Sequence, residues 1–136
     1  MYLLDTNVIS ELRKVRPHGE VVAWVKNIPE NQLFVSAFTL AEMQAGAERT
    51  RKHNSEKAAE IEAWIDKVMG TFQILPMDAR AFREWARLMD SRPIQLTEDA
   101  MIAATARVHG LTVVTRNLRD FEGFGVRLLN PFSRRS

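Results

Sequence analysis

The chain has 136 residues, of which 46% are hydrophobic and 26% are charged, and its formal net charge at pH 7 is +2. We expect one domain with its own core over residues 1–136, and the composition excludes a fibrous or largely disordered protein. Cysteine is absent, which excludes disulfide and thiolate chemistry and suits a reducing cytoplasm. We expect no secretion signal and no membrane span, and disorder only at residues 133–136.

Short apolar runs alternate along the chain with segments of helical periodicity. The runs predict strands at residues 2–4, 33–35, 73–75, 111–114 and 126–129. The periodic segments predict helices at residues 8–13, 19–28, 39–51, 55–69, 79–91 and 98–109. This alternation favours a mostly parallel sheet of four to five strands with helices on both faces, a three-layer α/β/α fold.

Several polar residues and one glycine are candidates for helix caps. Asn7 or Thr6 could cap the first helix, and Asp78 and Thr97 stand before two later helices. Gly110 follows the helix at residues 98–109 and is typical of a left-handed C-terminal cap. These residues predict where the helices begin and end.

The first predicted strand runs directly into an acidic residue, Asp5. Functional residues of parallel sheets lie beyond the carboxyl ends of the strands, which is where Asp5 would stand. Thr6 and Asn7 can hydrogen-bond a carboxylate, and so can Thr115 after the fourth strand. The alternative is that Asp5 only caps the following helix.

Three further acids could reach the same edge: Glu42 after the second strand, Asp99 in the first turn of the helix at residues 98–109, and Asp120 after the fourth strand. Each has a structural alternative. Glu42 completes a capping box with Thr39, Asp99 suits a helix N-terminus, and Asp120 could be a surface turn residue.

Four carboxylates without a partner charge would repel one another, and a divalent cation would remove that repulsion. Ligands that are all oxygen favour Mg²⁺ or Mn²⁺ over zinc. Whether one or two ions bind stays open. Asn117 lies in the same segment as Asp120 and could point at the site through a water or be a neutral turn residue.

The chain resembles the PIN-domain ribonucleases, in particular the VapC and FitB toxins of bacterial type II toxin–antitoxin pairs. The resemblance covers nearly the whole chain in the family's order. Its motifs are LLDTNVISE at residues 3–11, the segment 36–46 with Glu42, DAMIAATA at 99–106, VVTRNLRDF at 113–121, and NP at 130–131.

The resemblance implies a PIN-like fold and metal binding by Asp5, Glu42, Asp99 and a fourth acid. Some relatives carry that acid where this chain has Asn117, so here Asp120 supplies it or the site works with three. It also implies a homodimer or a larger assembly with a VapB- or FitA-like antitoxin. The implied reaction is hydrolysis of structured RNA, often tRNA, with 5′-phosphate and 3′-hydroxyl products.

Arg116 and Arg119 flank the proposed site and are the best candidates for RNA contacts, because arginine matches phosphate geometry. Two other interpretations remain. A non-catalytic RNA-binding module would use the acids only as caps. A magnesium-dependent phosphohydrolase of another α/β family would need a second acid at the place of Asn7. Histidine chemistry suits the three histidines of the chain poorly.

Overall fold

The computed structural model describes residues 1–133, so most of the predicted disordered segment, residues 134–136, lies outside the described residues. The strands are β1 Tyr2–Leu4, β2 Leu33–Ser36, β3 Gln73–Leu75, β4 Thr112–Val114 and β5 Leu128–Leu129. The helices are α1 Thr6–Arg13, α2 Gly19–Lys26, α3 Ala37–Arg51, α4 Ser55–Thr71, α5 Ala79–Met89, α6 Thr97–His109 and α7 Leu118–Phe121. No helix among these is both long and apolar enough to cross a bilayer.

The five strands form one sheet in the order β3-β2-β1-β4-β5, and every described pair is parallel. β1 is the central strand, with β2 on one side and β4 on the other. Parallel pairing places the carboxyl ends of β1, β2 and β4 at one edge of the sheet. The α/β prediction is confirmed, with five strands.

The sheet separates two apolar cores. Successive strand residues point to opposite faces, and in β1 Leu4 packs with Val8 and Met43 while Leu3 packs with Ala103 and Phe121. The first core is covered by α1 to α4 and the second by α5 to α7. This arrangement is the predicted three-layer α/β/α architecture.

Small residues bring α6 close to the sheet. Ala100, Ala103 and Ala106 are fully buried at helical spacing, together with Ile102. A helix with alanine on its inner face packs with its axis near the strands, since no long side chain separates them. The start of α6, which carries Asp99, is thereby held beside the edge of the sheet.

Two predicted helix starts are wrong. α1 begins at Thr6 and is capped by Asp5, rather than by Asn7 or Thr6. α3 begins at Ala37, where the Ser36 hydroxyl accepts a hydrogen bond from the amide of Phe38 at 3.1 Å. Ser36 ends β2 and caps α3 at once, because the strand passes into the helix without a loop.

The start of α3 also excludes the capping box predicted for Thr39 and Glu42. Thr39 is fully buried inside the helix, and Glu42 lies in the second turn, too far from the end to cap it. The predicted N-terminal cap of α6 is also different in the structure. Thr97 is the first residue of α6, and its hydroxyl donates to the carbonyl of Ile94 in the preceding 3₁₀ turn.

Two other cap predictions are confirmed. The carboxylate of Asp78 accepts a hydrogen bond from the amide of Ala81 at 3.0 Å at the start of α5. Gly110 ends α6 with a φ of 67°, the left-handed conformation that glycine adopts without steric cost.

Asp120 lies within α7, whereas the sequence predicted a turn there.

Candidate active site

Asp5 occupies the end of the central strand, and its carboxylate is held by three hydrogen bonds. Its Oδ1 accepts from the amide of Thr6 at 2.8 Å. Its Oδ2 accepts from the hydroxyl of Thr115 at 2.8 Å and from the side-chain amide of Asn7 at 3.2 Å. With an exposed fraction of only 6%, the carboxylate has a fixed orientation.

Thr115 and Asn7 join the ends of β1 and β4. The Asn7 amide also donates to the Thr115 hydroxyl at 3.2 Å, and its Oδ1 accepts from the backbone amide of Arg116 at 3.2 Å. The backbone amide of Asn117 donates to the same Thr115 hydroxyl at 3.0 Å. Thr6, Asn7 and Thr115 therefore hydrogen-bond the carboxylates of Asp5 and Glu42, while Asn117 contributes through its backbone.

Glu42 reaches the site from the second turn of α3. Its Oε1 accepts a hydrogen bond from the Thr6 hydroxyl at 2.7 Å, and that hydroxyl lies 3.1 Å from the hydroxyl of Thr39. Thr6 follows Asp5 directly, so one residue orders the acids from β1 and α3. Burial raises the pKa of Glu42 to about 7, and the carboxyl group of Glu98 beside it adds to the rise.

Asp99 lies half-buried in the first turn of α6. Burial raises its pKa to about 6, and repulsion from Asp5, Asp120 and Glu98 adds to this rise. Burial also raises the pKa of Asp5, hydrogen bonds from Thr115 and Thr6 oppose that rise, and repulsion by Asp120 adds to it. The structure thus brings Asp5, Asp99 and Asp120 within electrostatic reach of one another.

Asp120 stands at the solvent side of the group. It is exposed in α7, and its backbone amide donates to the carbonyl of Asn117 at 3.1 Å. Asp120 interacts electrostatically with both Asp5 and Asp99. The exposed side chain of Asn117 makes no hydrogen bond to the acids within residues 1–133.

Glu98 is a member of the cluster that was not predicted from the sequence. It is exposed, next to Asp99, and within hydrogen-bonding reach of Glu42. The signal was present, because Glu98 and Asp99 are both acidic residues of the same first turn. What the sequence lacked was the position of α3, which brings Glu42 to the start of α6.

The donor set fits a hard divalent cation. It consists of carboxylates and hydroxyls, and the pKa values of Glu42 and Asp99 are raised first by burial and then by neighbouring acidic groups. Within residues 1–133, no group of three acidic, histidine or cysteine side chains is placed so that it could hold a metal ion. Mg²⁺ does not need such a group, because it keeps several waters and is commonly held by one or two carboxylates plus substrate phosphates.

The two arginines predicted to contact RNA lie beside this group. The Arg116 guanidinium stacks over the ring of Phe132, 4.3 Å from its centroid, and Arg119 is exposed in α7. Arg116 also interacts electrostatically with Glu11, a buried acid of α1 that accepts hydrogen bonds from Lys14 and the amide of His18. Glu11 therefore has a structural role and lies apart from the cluster.

The comparisons with known proteins all indicate the same family. The PIN domain family model matches residues 2–125. The chain is 38% identical to VapC ribonuclease Y4jK of Sinorhizobium fredii, over 97% of this chain and 98% of that protein. It is 33% identical to toxin FitB of Neisseria gonorrhoeae, over 97% of this chain and 99% of that one.

Solved structures of similar proteins indicate the same family. The crystal structure of FitAcB from Neisseria gonorrhoeae superposes with a TM-score of 0.83 at 33% identity, covering 97% of this chain and 99% of that chain. A toxin–antitoxin complex from Klebsiella pneumoniae superposes with a TM-score of 0.73 at 26% identity, covering 96% and 98%. The chain therefore belongs to the PIN domain family, in the group that contains the VapC ribonucleases and toxin FitB.

Proposed function

We propose that this protein is a metal-dependent endoribonuclease and the toxin of a type II toxin–antitoxin pair. The observation that carries the proposal is that Asp5, at the edge of the parallel sheet, interacts electrostatically with Glu42, Asp99 and Asp120, which come from three other elements. Mutual repulsion destabilises such a group in the absence of a cation. The similarity to a VapC ribonuclease and to toxin FitB supports the same activity.

Mg²⁺ is the proposed cofactor, with Mn²⁺ as a substitute. Asp5 and Asp99 would hold the ion, because both are partly or fully withdrawn from solvent and electrostatically coupled. Glu42 and Asp120 would complete the site. When bound, a divalent ion polarises a phosphate oxygen and lowers the pKa of water beside it.

The chain's own residues position the reacting groups. Thr115 and Asn7 keep the Asp5 carboxylate from rotating, since both donate to its Oδ2. Thr6 fixes Glu42 through its hydroxyl, so Glu42 can orient a water for in-line attack on phosphorus. Asp120, at the exposed side, would face the entering RNA. Asn117 supports the loop through its backbone.

Arg116 and Arg119 are the proposed phosphate contacts at the rim. Their charges would offset the repulsion between the acids and the RNA backbone. Stacking on Phe132 holds the Arg116 guanidinium in place, which lowers the entropy lost when it binds a phosphate. Structured RNA, with tRNA first among the candidates, remains the predicted substrate.

A cognate antitoxin would block this edge of the sheet, and the chain would act as a homodimer in the cytoplasm. The similarity of the chain to a toxin–antitoxin complex from Klebsiella pneumoniae supports the partner. We propose that the antitoxin lies in a groove between α2, α3 and α4. Co-expression with the cognate antitoxin should yield a stable complex that lacks ribonuclease activity.

One experiment tests the activity. Purified protein and its Asp99→Asn variant are incubated with total RNA, with and without Mg²⁺, and the new ends are sequenced. We expect cleavage only by the wild type with Mg²⁺, leaving 5′-phosphate ends. Cyclic 2′,3′-phosphate ends would contradict the proposed mechanism. RNA binding without any carboxylate-dependent Mn²⁺ site would support the non-catalytic RNA-binding module instead.

A further inference from the structure

A second cleft, of about 330 Å³, opens directly beside the acids. Thr6 and Glu42 form one wall, so the cleft and the candidate active site share two side chains. From there it runs between α1, α3 and α4. Its volume lies at the small end of the range for ligand sites, roughly 300–1,000 Å³, which suits one nucleotide and not an RNA helix.

Cations line the part of the cleft that lies two helical turns away from the acids, along α1 and α3. Arg13 from α1 and Arg49 from α3 both border it, and neither has an acidic partner within residues 1–133. The hydroxyls of Ser10 and Thr50 lie on the same walls. Two arginines left without a carboxylate in a concave surface favour a ligand that brings its own negative charge.

Arg51, only two residues from Arg49, shows the contrast. Its guanidinium donates to Glu48 at 3.2 Å and pairs with Glu62 at 2.8 Å, away from the cleft. The same helix therefore carries one arginine used to hold α3 to α4 and one that is free to bind. Both arginines belong to the basic stretch at residues 49–52, and only the ion pairs distinguish them.

The part of the cleft beside Glu42 is apolar. It is lined by Met43, Ile61 and Trp64. The indole N–H of Trp64 is buried without a hydrogen-bond partner, the only such side-chain atom found within residues 1–133. An apolar aromatic wall suits a nucleobase, which has a π-face that can stack on it.

We propose that this cleft binds one unpaired nucleotide of the substrate RNA, adjacent to the phosphate that the acids act on. Arg13 and Arg49 contact its phosphate, and its base lies against Met43 and Trp64. The inference rests on the proposed ribonuclease function and extends it. An acidic protein segment would explain the arginines but not the apolar aromatic end beside the acids.

Binding is measured in EDTA, so that the result does not depend on cleavage. The probe is a labelled single-stranded RNA of about ten nucleotides, bound to the full chain and followed by fluorescence anisotropy over a range of salt concentrations. Arg49→Gln should weaken binding roughly tenfold and lower the salt slope by about 0.7, the value for one phosphate contact on a single strand. Arg51→Gln is the matched control and should leave both unchanged.

A second variant fills the cleft without removing a charge. Gly46 lines it in mid-α3, and a Cβ there meets only the Arg49 guanidinium, at an ordinary 3.7 Å. Gly46→Leu favours the helix, so the fold is retained, while its side chain would occupy the cleft. We expect RNA binding to weaken by at least as much as in Arg49→Gln.

With Mg²⁺, Arg49→Gln should raise KM with little change in kcat, because the contact is made before the chemical step. Equal losses in Arg49→Gln and Arg51→Gln would overturn the proposal and indicate general surface charge. Unchanged RNA binding in Gly46→Leu would overturn it as well. The proposal would also be overturned if Arg49→Gln weakened the binding of a co-purifying protein but not the binding of RNA. If the wild type binds RNA and the variants weaken that binding as expected, but the wild type cleaves no RNA, the proposed ribonuclease function is wrong. The proposed nucleotide-binding cleft would then still be supported.

Discussion

At the scale of single residues, the hydroxyl of Thr115 makes three hydrogen bonds in the candidate site. It donates to Asp5 and accepts from both the Asn7 side chain and the backbone amide of Asn117. The side chain is fully buried. One oxygen thus joins the ends of β1 and β4 and orients the most buried acid of the cluster.

The variant Thr115→Val keeps the shape of the side chain and removes the hydroxyl. We expect a loss of about 1–3 kcal/mol in the free energy of unfolding, because two donors and the Asp5 carboxylate lose a buried partner. Urea denaturation in EDTA measures this. Thr115→Ser retains the hydroxyl and should recover most of the loss. Equal stability of Thr115→Val and the wild type would contradict this role.

Glu42 gives the site a pH dependence whose sign is determined by its raised pKa. Its folded-state pKa is about 7, above the ordinary value of 4.5. Its contribution to stability is therefore fully present at low pH and is lost as the pH rises toward 7. Glu42→Gln should be more stable than the wild type in EDTA, by an increment that grows from about pH 5 to about pH 8.

Thermal melts over that pH range measure the increment, and Glu62→Gln is the control. Arg51 lowers the pKa of Glu62, so its contribution is present at neutral pH and lost on acidification. Removing Glu62 should therefore give a small change of opposite sign. A Glu42→Gln increment that does not change with pH would show that the crowded charge is absent.

At the scale of elements, the strand-to-helix junctions build the site. Asp5 ends β1 and caps α1 with Oδ1, while Oδ2 binds Thr115 and Asn7. The cap and the site residue were alternatives in the sequence, yet the two carboxylate oxygens perform both tasks. Ser36 likewise ends β2 and caps α3, and this sets the turn of α3 from which Glu42 points at Thr6.

The end of α6 provides a test at this scale. Gly110 has a φ of 67°, and a Cβ there would meet nothing within 4 Å. Gly110→Ala should therefore cost about 1 kcal/mol of stability through the left-handed backbone alone. Gly70, in the last turn of α4, has equal space and no positive φ, so Gly70→Ala should be neutral or slightly stabilising. Chemical denaturation compares the two, and a Gly110→Ala protein as stable as Gly70→Ala would contradict this explanation.

At the scale of the whole molecule, the net charge of +2 conceals a separation of charge. Acids gather at one edge of the sheet, while Arg13, Arg49, Arg116 and Arg119 lie around them. A divalent cation that binds only the folded protein must stabilise it. The site and the global stability are therefore linked.

Mg²⁺ at about 100 times its Kd should stabilise the wild type by about 2.7 kcal/mol, a rise in Tm on the order of 10 °C. Asp5→Asn should melt higher than the wild type in EDTA and gain much less from Mg²⁺, because it removes one charge from the crowded group. Calorimetry at matched ionic strength measures both. The same Mg²⁺ increment in both proteins would contradict the assignment of Asp5.

The alternation of apolar runs and helical periods was sufficient for the order of the five strands and of α1 to α6, since these patterns are local, but α7 was not predicted. Asp78 and Gly110 were correctly assigned as caps for the same reason. The starts of α1 and α3 were not, because a strand that passes directly into a helix leaves no loop signal. Thr39 fits a capping motif in sequence, yet it is buried one turn inside α3.

The sequence by itself determined the α/β architecture and the four candidate acids, because periodicity and residue type are properties of short segments. Only the tertiary structure decided that Thr6 orders Glu42, that Glu98 joins the group, and that Arg49 and Arg51 differ in role. These facts depend on contacts between residues distant in the chain. Their geometry is set by the parallel register of β1, β2 and β4 and by the close approach of α6 to the sheet.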